Sequence, residues 1–232
     1  GYIGSQLIRS LPDNDHFNGA TIRIIDNMFR ETYASLMDLP LNTKYEFIEG
    51  DIKDDESLET AFKDVELVFD LAGITSVPLS YQKKELTMEV NVRWAKKVLD
   101  YALKVGVKKF VYSSSAAVYG PTEGIVSEEH KCKPIGPYAE SKLIAEQQCI
   151  RESKETGLDT TVLRLGTVFG YAPAMRFDTV ANRFTYLACV GMPLTVWIGA
   201  EEAKRPYLHV KDAVRGFLFA ATEKRTKGQV YN

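Results

Sequence analysis

The sequence contains no long uncharged run, no closely spaced pair of cysteines and no excess of one charge. Its longest stretch without a charged residue, positions 184–200, has 17 residues and is broken by Gly191 and Pro193. Because a membrane-spanning helix needs about 20 consecutive apolar residues, we expect no such helix. No basic segment followed by an apolar run opens the chain, so we expect no secretion signal.

The cysteine content also suggests a protein that is not secreted. The chain has three cysteines, Cys132, Cys149 and Cys189, and no CxxC pair. An odd number of unpaired thiols is typical of a reducing compartment, and we therefore expect a cytoplasmic protein with buried or idle cysteines. We expect no metal site.

The charges nearly cancel, since 29 lysines and arginines stand against 31 aspartates and glutamates, for a net charge of −2. Such a balance provides no excess of positive charge to attract nucleic acid or an anionic membrane, so we expect neither as a partner. Hydrophobic residues make up 45% and charged residues 26% of the chain, which excludes a disordered or collagen-like protein. Its 232 residues allow one large α/β domain or two small ones.

Short apolar runs rich in β-branched and aromatic residues alternate with helical patterns along the chain. We predict strands at 21–26, 45–48, 67–71, 109–113 and 160–165, and helices at 5–9, 56–63, 85–105 and 138–156. Continuous apolar runs are typical of strands that are buried on both faces. The alternation therefore predicts an α/β fold, a doubly wound parallel sheet with helices on both faces.

The pattern changes along its last quarter. After Gly170 the strict alternation loosens, and Pro173, Pro193 and Pro206 interrupt the remainder. We predict a dinucleotide-binding domain at 1–170 and, at 171–232, part of a smaller C-terminal substrate lobe interleaved with the sheet. Both ends of the chain look like truncations within a larger domain. We therefore expect a strand and a further glycine before residue 1 and more of the lobe after residue 232.

A glycine turn opens the chain, and an acidic residue ends the next strand. Gly1 and Gly4 stand at the start of a predicted helix, where the backbone can approach a pyrophosphate and the helix N-terminus attracts it. Asp26 ends the strand at 21–26 and can accept both hydroxyls of an adenosine ribose. It would repel a 2′-phosphate, so it favours NAD over NADP. A structural turn and a solvated carboxylate are the alternative interpretations.

Polar or small residues follow two further strands. Gly50-Asp51-Ile52 comes after the strand at 45–48, and Leu71-Ala72-Gly73 comes at the end of the strand at 67–71. Ligands of doubly wound sheets bind at the carboxyl ends of the strands. Small residues at 72 and 73 would let a flat dinucleotide lie across this edge, although Asp51 alone could equally begin a helix.

Hydroxyl groups and a Tyr-x-x-x-Lys pattern provide a candidate catalytic set. Ser113, Ser114 and Ser115 end one strand, and Tyr138 and Lys142 share a helix face one turn apart. A neighbouring ammonium stabilises a phenolate, so we expect Lys142 to lower the pKa of Tyr138 from about 10 toward neutrality. Such a tyrosine can exchange a proton with an alcohol while a hydride moves. The pattern alone also arises by chance.

Taken together, these strings resemble the extended short-chain dehydrogenase/reductases, in particular the NAD-dependent nucleotide-sugar epimerases and dehydratases of the UDP-galactose 4-epimerase type. The resemblance covers the whole chain in family order and implies a Rossmann fold. Its strings are GYIGS (1–5), IDN (25–27), GDI (50–52), LAG (71–73), NV (91–92), SSSAAVYG (113–120), PYAESK (137–142), LR (163–164) and RPYLHVKDA (205–213).

The resemblance implies a role for each matching residue. Catalysis would rest on Ser115, Tyr138 and Lys142. Cofactor contacts are expected from Gly1, Tyr2, Ile3, Gly4, Asp26, Asn27, Asp51, Ile52, Leu71, Ala72, Gly73, Asn91, Ser113, Tyr138 and Lys142. Contacts to a nucleotide-sugar substrate are expected from Ser115, Thr167, Asn182 and Arg205.

Where the sequence departs from the family patterns, some of the family's reactions are disfavoured. Where the 4,6-dehydratases carry Thr-Asp-Glu at the catalytic strand end, this chain has Ser115, Ala116 and Ala117. Alanine transfers no proton, so dehydration by that route is disfavoured. Thr167 stands where many epimerases have an asparagine, which leaves the sugar and base open.

We therefore expect an NAD-dependent nucleotide-sugar epimerase that inverts C4 of a UDP-sugar through a transient 4-keto intermediate. A reductase or dehydrogenase of a nucleotide sugar or other carbonyl compound is the alternative within enzymes. A non-catalytic NAD(H)-binding sensor is a third hypothesis. The resemblance also makes a homodimer possible, through the helices at 85–105 and 138–156.

Overall fold

The computed structural model describes residues 1–196, 198–199 and 204–232. Its helices, in chain order, are α1 (Tyr2–Ser10), α2 (Asp55–Phe62), α3 (Val77–Gln82), α4 (Lys84–Met88), α5 (Ala95–Val105), α6 (Pro137–Thr156), α7 (Val180–Cys189) and α8 (Val210–Thr222). Its strands are β1 (Thr21–Asp26), β2 (Lys44–Glu49), β3 (Leu67–Asp70), β4 (Lys109–Ser115), β5 (Thr160–Leu165), β6 (Thr167–Phe169), β7 (Tyr207–His209) and β8 (Gln229–Tyr231). None of the helices described is long and apolar enough to cross a membrane.

The strands pair in parallel, as predicted. The main sheet has the order β3-β4-β5-β8, β1 pairs with β2, and β6 pairs with β7. Within the part of the chain that the structure describes, β1 and β3 share no strand pairing, so the predicted single sheet is divided between them. Side chains of both strands line one large cleft.

Helices cover both faces of the main sheet, which confirms the doubly wound architecture. On one face, Phe110 and Tyr112 of β4 pack under α2, α5 and α6. On the other face, Val111 of β4 and Phe217 of α8 pack with α1. Because successive side chains of a strand point to opposite faces, one strand supplies both cores. All six residues of β5 are buried, which explains its continuous apolar pattern.

The predicted helix at 85–105 is interrupted. The chain forms α4, then a π-helical segment (Glu89–Trp94), and then α5, which ends at Gly106 with a left-handed conformation. The wide π turn carries the buried Asn91, whose side chain binds the backbone of Ile74. Apolar spacing over two turns cannot distinguish a π turn from an α turn, so the sequence pattern missed it.

Several elements lie where no regular pattern was recognised, namely α3, α7, α8, β6 and β7. Helix α8 packs against α1 and the main sheet, and β8 pairs with β5. Residues beyond 170 thus contribute to both the sheet and the region around β6 and β7. The boundary at residue 170 stays a prediction.

A buried ion pair ties α6 to β5. Arg164 of β5 donates to both carboxylate oxygens of Glu146 of α6, at 3.1 and 2.5 Å. Ser114 of β4 donates to the same carboxylate at 2.8 Å, and Arg164 also donates to the hydroxyl of Tyr119 at 2.7 Å. The two charged side chains are only 7% and 4% exposed. This network holds α6 at a fixed position over the sheet.

We expect Glu146→Ala to destabilise the fold by about 3–5 kcal/mol, because it leaves the buried Arg164 guanidinium without its counter-charge. The measurement is urea unfolding followed by circular dichroism. Asp212→Ala is the matched control, since its ion pair with Arg215 is exposed to solvent and should contribute less than about 1 kcal/mol. Equal losses in the two variants would contradict the role assigned to the buried pair.

Candidate active site

The cleft lies at the carboxyl ends of the parallel strands. It is continuous with the space between β1 and β3, and residues along both strands line it. Residues that follow β1, β2, β3, β4 and β5 all contribute to its wall. Parallel strands end at the same edge of a sheet, so the polar residues that end them meet there.

The start of α1 faces the end of β1. Gly1 caps the helix, and its main-chain nitrogen lies 3.3 Å from Asp26 Oδ2. The other carboxylate oxygen of Asp26 accepts from the main-chain N–H of Met28 at 2.9 Å. Ile3 and Gly4 line the cleft beside them. The glycine turn and the acidic residue that the sequence analysis paired are therefore neighbours.

Asn27 and Asp51 meet beside Asp26. The amide of Asn27 donates to Asp51 Oδ2 at 3.1 Å, and Asp51 Oδ1 accepts from the main-chain N–H of Lys53 at 3.0 Å. Ile52 lines the cleft and packs against the hydrophobic core at the same time. Three of the expected cofactor contacts therefore form one wall.

Leu71, Ala72 and Gly73 form the floor of the cleft at the end of β3. A Cβ atom at Gly73 would lie 3.0 Å from Asn91 Oδ1 and 3.6 Å from Lys142 Nζ. Asn91 accepts from the main-chain N–H of Ile74 at 2.7 Å and donates to Ser141 Oγ of α6 at 3.0 Å. Asn91 thus fixes the backbone that follows Gly73 and connects it to α6.

The candidate catalytic side chains lie on the opposite wall. Ser115 is the last residue of β4, and its hydroxyl accepts from the main-chain N–H of Ala117 at 3.2 Å. Tyr138 is the second residue of α6, and Ser115, Tyr138 and Lys142 all line the cleft. Ala116 and Ala117 line it too, in the 3-10 turn Ala116–Tyr119. The structure thus brings together the three residues that the spacing had grouped.

Lys142 is buried, at 3% exposure, beneath this wall. Its ammonium donates to the main-chain carbonyl of Ser113 at 2.8 Å and to the Tyr112 hydroxyl at 3.4 Å, and lies 4.9 Å from the centre of the Tyr112 ring. Burial lowers its pKa to about 8, against the opposing effect of Asp70. Ser113 therefore acts through its carbonyl, which fixes the lysine.

The pKa of Tyr138 differs from the expectation. Burial raises it above the ordinary value, while the Ser115 hydroxyl and the Arg176 guanidinium lower it. The Lys142 ammonium donates to the Ser113 carbonyl and the Tyr112 hydroxyl, so it acts on Tyr138 by holding α6 against the end of β4. The expectation that Lys142 lowers the pKa of Tyr138 toward neutrality is therefore corrected, because burial outweighs the groups that lower this pKa.

The expected substrate residues divide into two groups. Thr167 of β6 and the exposed Arg205, just before β7, both line the cleft. Asn182 is 3% exposed, accepts from the N–H of Gly170 at 2.9 Å and donates to the carbonyl of Arg176 at 2.8 Å. It also donates to the Tyr2 hydroxyl at 3.3 Å. The side chains of Asn182 and Tyr2 therefore brace the segment between β6 and α7, which corrects the role assigned to Asn182.

Two charged residues at the site, Arg176 and Asp70, were not predicted from the sequence. Arg176 donates to Thr75 Oγ1 at 2.5 Å, pairs with Asp178 and lowers the pKa of Tyr138. It lies in a loop without periodicity, and no motif marks it. Asp70 is a charged residue at the end of a buried strand, which is an unusual location that could have drawn attention to it.

Comparison with known proteins agrees with this geometry. All 232 residues match the model of the NAD dependent epimerase/dehydratase family. The chain belongs to this family. The resemblance to the extended short-chain dehydrogenase/reductases and the expected cofactor, NAD, are thereby confirmed for the family.

Individual relatives carry related activities. The chain is 30% identical to the UDP-glucose 4-epimerase of Azospirillum brasilense, over 98% of this chain and 68% of that protein. It is also 30% identical to the dTDP-glucose 4,6-dehydratase of Streptomyces griseus, over 100% of this chain and 70% of the relative. The crystal structure of UDP-glucuronic acid 4-epimerase from Bacillus cereus, in complex with UDP-glucuronic acid and NAD, superposes with a TM-score of 0.89 at 27% identity. That match covers 99% of this chain and 73% of the Bacillus chain.

The residues present fit the cofactor of this epimerase/dehydratase family. The N-terminus of α1 offers main-chain N–H groups for a pyrophosphate, and Asp26 lies where it can accept ribose hydroxyls. Ala72 and Gly73 are small residues and leave room for a ligand above them. A larger residue at position 73 would come too close to Asn91. The N–H groups of α1 and the carboxylate of Asp26 therefore suit a dinucleotide without a 2′-phosphate.

We expect Asp26→Asn to weaken NADH binding about tenfold or more and to reduce the preference over NADPH, because it removes charged hydrogen bonds and a repulsive charge. Fluorescence titration with both nucleotides, after removal of bound dinucleotide, measures the two affinities. Glu49→Gln is the matched control, since Glu49 is the exposed register partner of Asp26 on β2 and lies outside the cleft wall. An unchanged ratio in Asp26→Asn would contradict the assignment.

Proposed function

We propose that the protein is an NAD-dependent nucleotide-sugar epimerase that inverts C4 of a UDP-sugar. The observation that carries the proposal is the wall formed by Ser115, Tyr138 and Lys142, in which Ala116 and Ala117 directly follow Ser115 and also line the cleft. This wall offers a hydroxyl, a phenol and an ammonium, and no carboxyl group at 116 or 117. It suits the removal and return of a hydroxyl proton, and it does not suit the loss of water.

Each of the three side chains has a distinct role. Tyr138 removes the proton of the sugar 4-hydroxyl and later returns it to the oxygen of the 4-keto sugar. Ser115 holds that oxygen by a hydrogen bond, and Lys142 supplies a fixed positive charge behind the wall. NAD, when bound, supplies the acceptor and then the donor of the hydride.

Proton transfer by Tyr138 depends on the groups that oppose its burial. Burial raises the pKa of the phenol, which favours the protonated form, while Ser115 and Arg176 lower it. Arg176 reaches the same space from the segment after β6, where it is fixed by Thr75 and Asp178. The guanidinium therefore assists Tyr138 from the substrate side of the cleft.

The substrate is proposed to enter between the wall and the segment around β6 and β7. Arg205 is exposed on that side, and a guanidinium suits a diphosphate. Thr167 lies at the start of β6 and offers a hydroxyl to the sugar nucleotide. Support for a UDP-sugar comes from the Bacillus cereus relative, which was crystallised with UDP-glucuronic acid. A homodimer through α5 and α6 remains part of the proposal.

The proposal is tested by incubating the protein with UDP-glucose, UDP-galactose, UDP-glucuronic acid and UDP-galacturonic acid and separating the products by anion-exchange chromatography. An epimerase interconverts one pair without a net change in absorbance at the nicotinamide band. A net and stoichiometric absorbance change would instead indicate a reductase or dehydrogenase. Dinucleotide binding without turnover of any sugar or carbonyl compound would indicate a sensor.

We expect Tyr138→Phe to lower the rate of interconversion by at least about 100-fold, because general acid–base catalysis contributes about 10²–10⁴-fold. Bound dinucleotide should remain, as measured by mass spectrometry of small molecules released on denaturation. Tyr171→Phe is the control, since that phenol is exposed and lies outside the cleft wall. Near-full turnover in Tyr138→Phe would refute the mechanism.

A further inference from the structure

A buried carboxyl group lies behind the candidate catalytic wall and has no assigned role. Asp70, the last residue of β3, is 4% exposed. Its Oδ1 atom accepts from the main-chain N–H of Ala72 at 3.1 Å, and its Oδ2 atom has no hydrogen-bond partner in the part of the chain described. Burying a carboxylate without full pairing is costly, so the residue calls for an explanation.

Strand register places Asp70 on the same face of the sheet as Lys142. Asp70 pairs with Tyr112 in the β3–β4 register, so the two side chains point to one face. Lys142 Nζ contacts Tyr112 through both its hydroxyl and its ring. The same nitrogen lies 3.6 Å from the Cβ position of Gly73, in the turn that Asp70 begins. The carboxyl group and the ammonium therefore share one buried site.

Lys142 has no other nearby anion among the described groups. Its hydrogen-bond partners, the Ser113 carbonyl and the Tyr112 hydroxyl, are both neutral. Glu146 of the same helix is occupied by Arg164. A buried ammonium with only neutral partners tends to lose its proton. Asp70 is the group that can oppose this loss.

We propose that Asp70 is a positioning residue that keeps the Lys142 ammonium charged at the end of β4 and thereby supports Tyr138. This inference rests on the proposed function only for its effect on turnover. Burial raises the pKa of Asp70 to about 6, while Lys142 and the Ala72 N–H lower it. Asp70 is therefore ionised in the range where Lys142, with its pKa lowered to about 8, begins to titrate.

Other titratable groups face this pair. Tyr112 faces Asp70 from β4, and Cys149 faces it from α6; burial raises the pKa of both well above the ordinary value, so both stay neutral near pH 7. Tyr138 and Glu146 of α6 act on Tyr112.

Helix α5 also packs on β3, and three of its lysines form ion pairs away from Asp70. Lys96 pairs with Asp100 and Glu152, Lys97 pairs with Asp55, and Lys104 pairs with Glu59. Asp70 and Lys142 are therefore the two groups of this buried site whose pKa values lie near neutral pH.

The test is a titration of the lysine ε-carbon by NMR in protein labelled with ¹³C-lysine, followed between about pH 5 and about pH 11. The Lys142 resonance is the one that disappears in Lys142→Arg. We expect Asp70→Asn to move the Lys142 midpoint to lower pH by about one unit or more, because loss of the negative charge disfavours the ammonium. An unchanged midpoint in folded Asp70→Asn overturns the proposal.

The chain offers a matched control. Lys109, the first residue of β4, is buried at the opposite end of the strand and pairs with Asp159 at 2.8 Å. Asp159→Asn also removes a carboxylate from a buried lysine, and we expect it to move the Lys109 resonance while leaving Lys142 in place. A Lys142 shift of equal size in Asp159→Asn would mean a general structural effect and would overturn the proposal.

A second measurement covers the case in which Asp70→Asn does not fold. In the wild-type protein, the Lys142 resonance should show an additional small inflection near pH 6, where Asp70 titrates. Its absence would overturn the proposal. Tyr112→Phe, which removes a neutral partner of Lys142, should leave this inflection in place.

Turnover separates this inference from the proposed function. In a working epimerase, the alkaline limb of the kcat profile should move to lower pH in Asp70→Asn and stay in place in Asp159→Asn. If no UDP-sugar is interconverted, the proposed function fails, while the lysine titration still decides the role of Asp70. If Lys142 does not respond in an active protein, only the role of Asp70 fails.

Discussion

The bond from the Lys142 ammonium to the carbonyl of Ser113 is the contact on which the geometry of the site depends. It ties the first turns of α6 to the end of β4. Since Tyr138 lies one turn before Lys142 on the same helix, and Ser115 lies two residues after Ser113 on the same strand, this bond sets the position of both side chains relative to each other. Without it, the spacing of four residues in α6 would place Tyr138 and Lys142 on one face but would not direct that face to the strand end.

Two buried electrostatic systems hold α6, and they differ in character. Deeper in the fold, Arg164 and Glu146 form a pair with matched charges and nearly complete hydrogen bonding, which suits a structural role. Nearer the cleft, Lys142 has neutral partners at close range and Asp70 at longer range. Its charge therefore responds to its surroundings, with a pKa that burial lowers to about 8. A buried group with a perturbed pKa beside a large cleft is typical of a functional site.

The sequence predicted the parts of the site that depend on strand ends and helix spacing. The bounds of β1 and β5 agree with the predicted strands, since short β-branched runs define them, and Asp26 lies at the strand end where it was expected. The π turn that carries Asn91 was not predictable, because its stability comes from bonds to Ile74 and Ser141, which are distant in the chain. Arg176 was missed for the same reason, since its position depends on Thr75, 101 residues away.

The remaining difference, the pKa of Tyr138, shows why a motif does not determine its own chemistry. The Tyr-x-x-x-Lys spacing fixes which face of α6 the two residues share, but the proton affinity of the phenol depends on burial and on groups from two other parts of the chain. Ser115 comes from β4, and Arg176 comes from the segment after β6. Any substrate that fills the cleft would add to the burial of Tyr138 and would make these opposing groups more important. The charge arrangement around the motif, more than the motif, therefore decides whether the tyrosine can exchange a proton with a sugar hydroxyl.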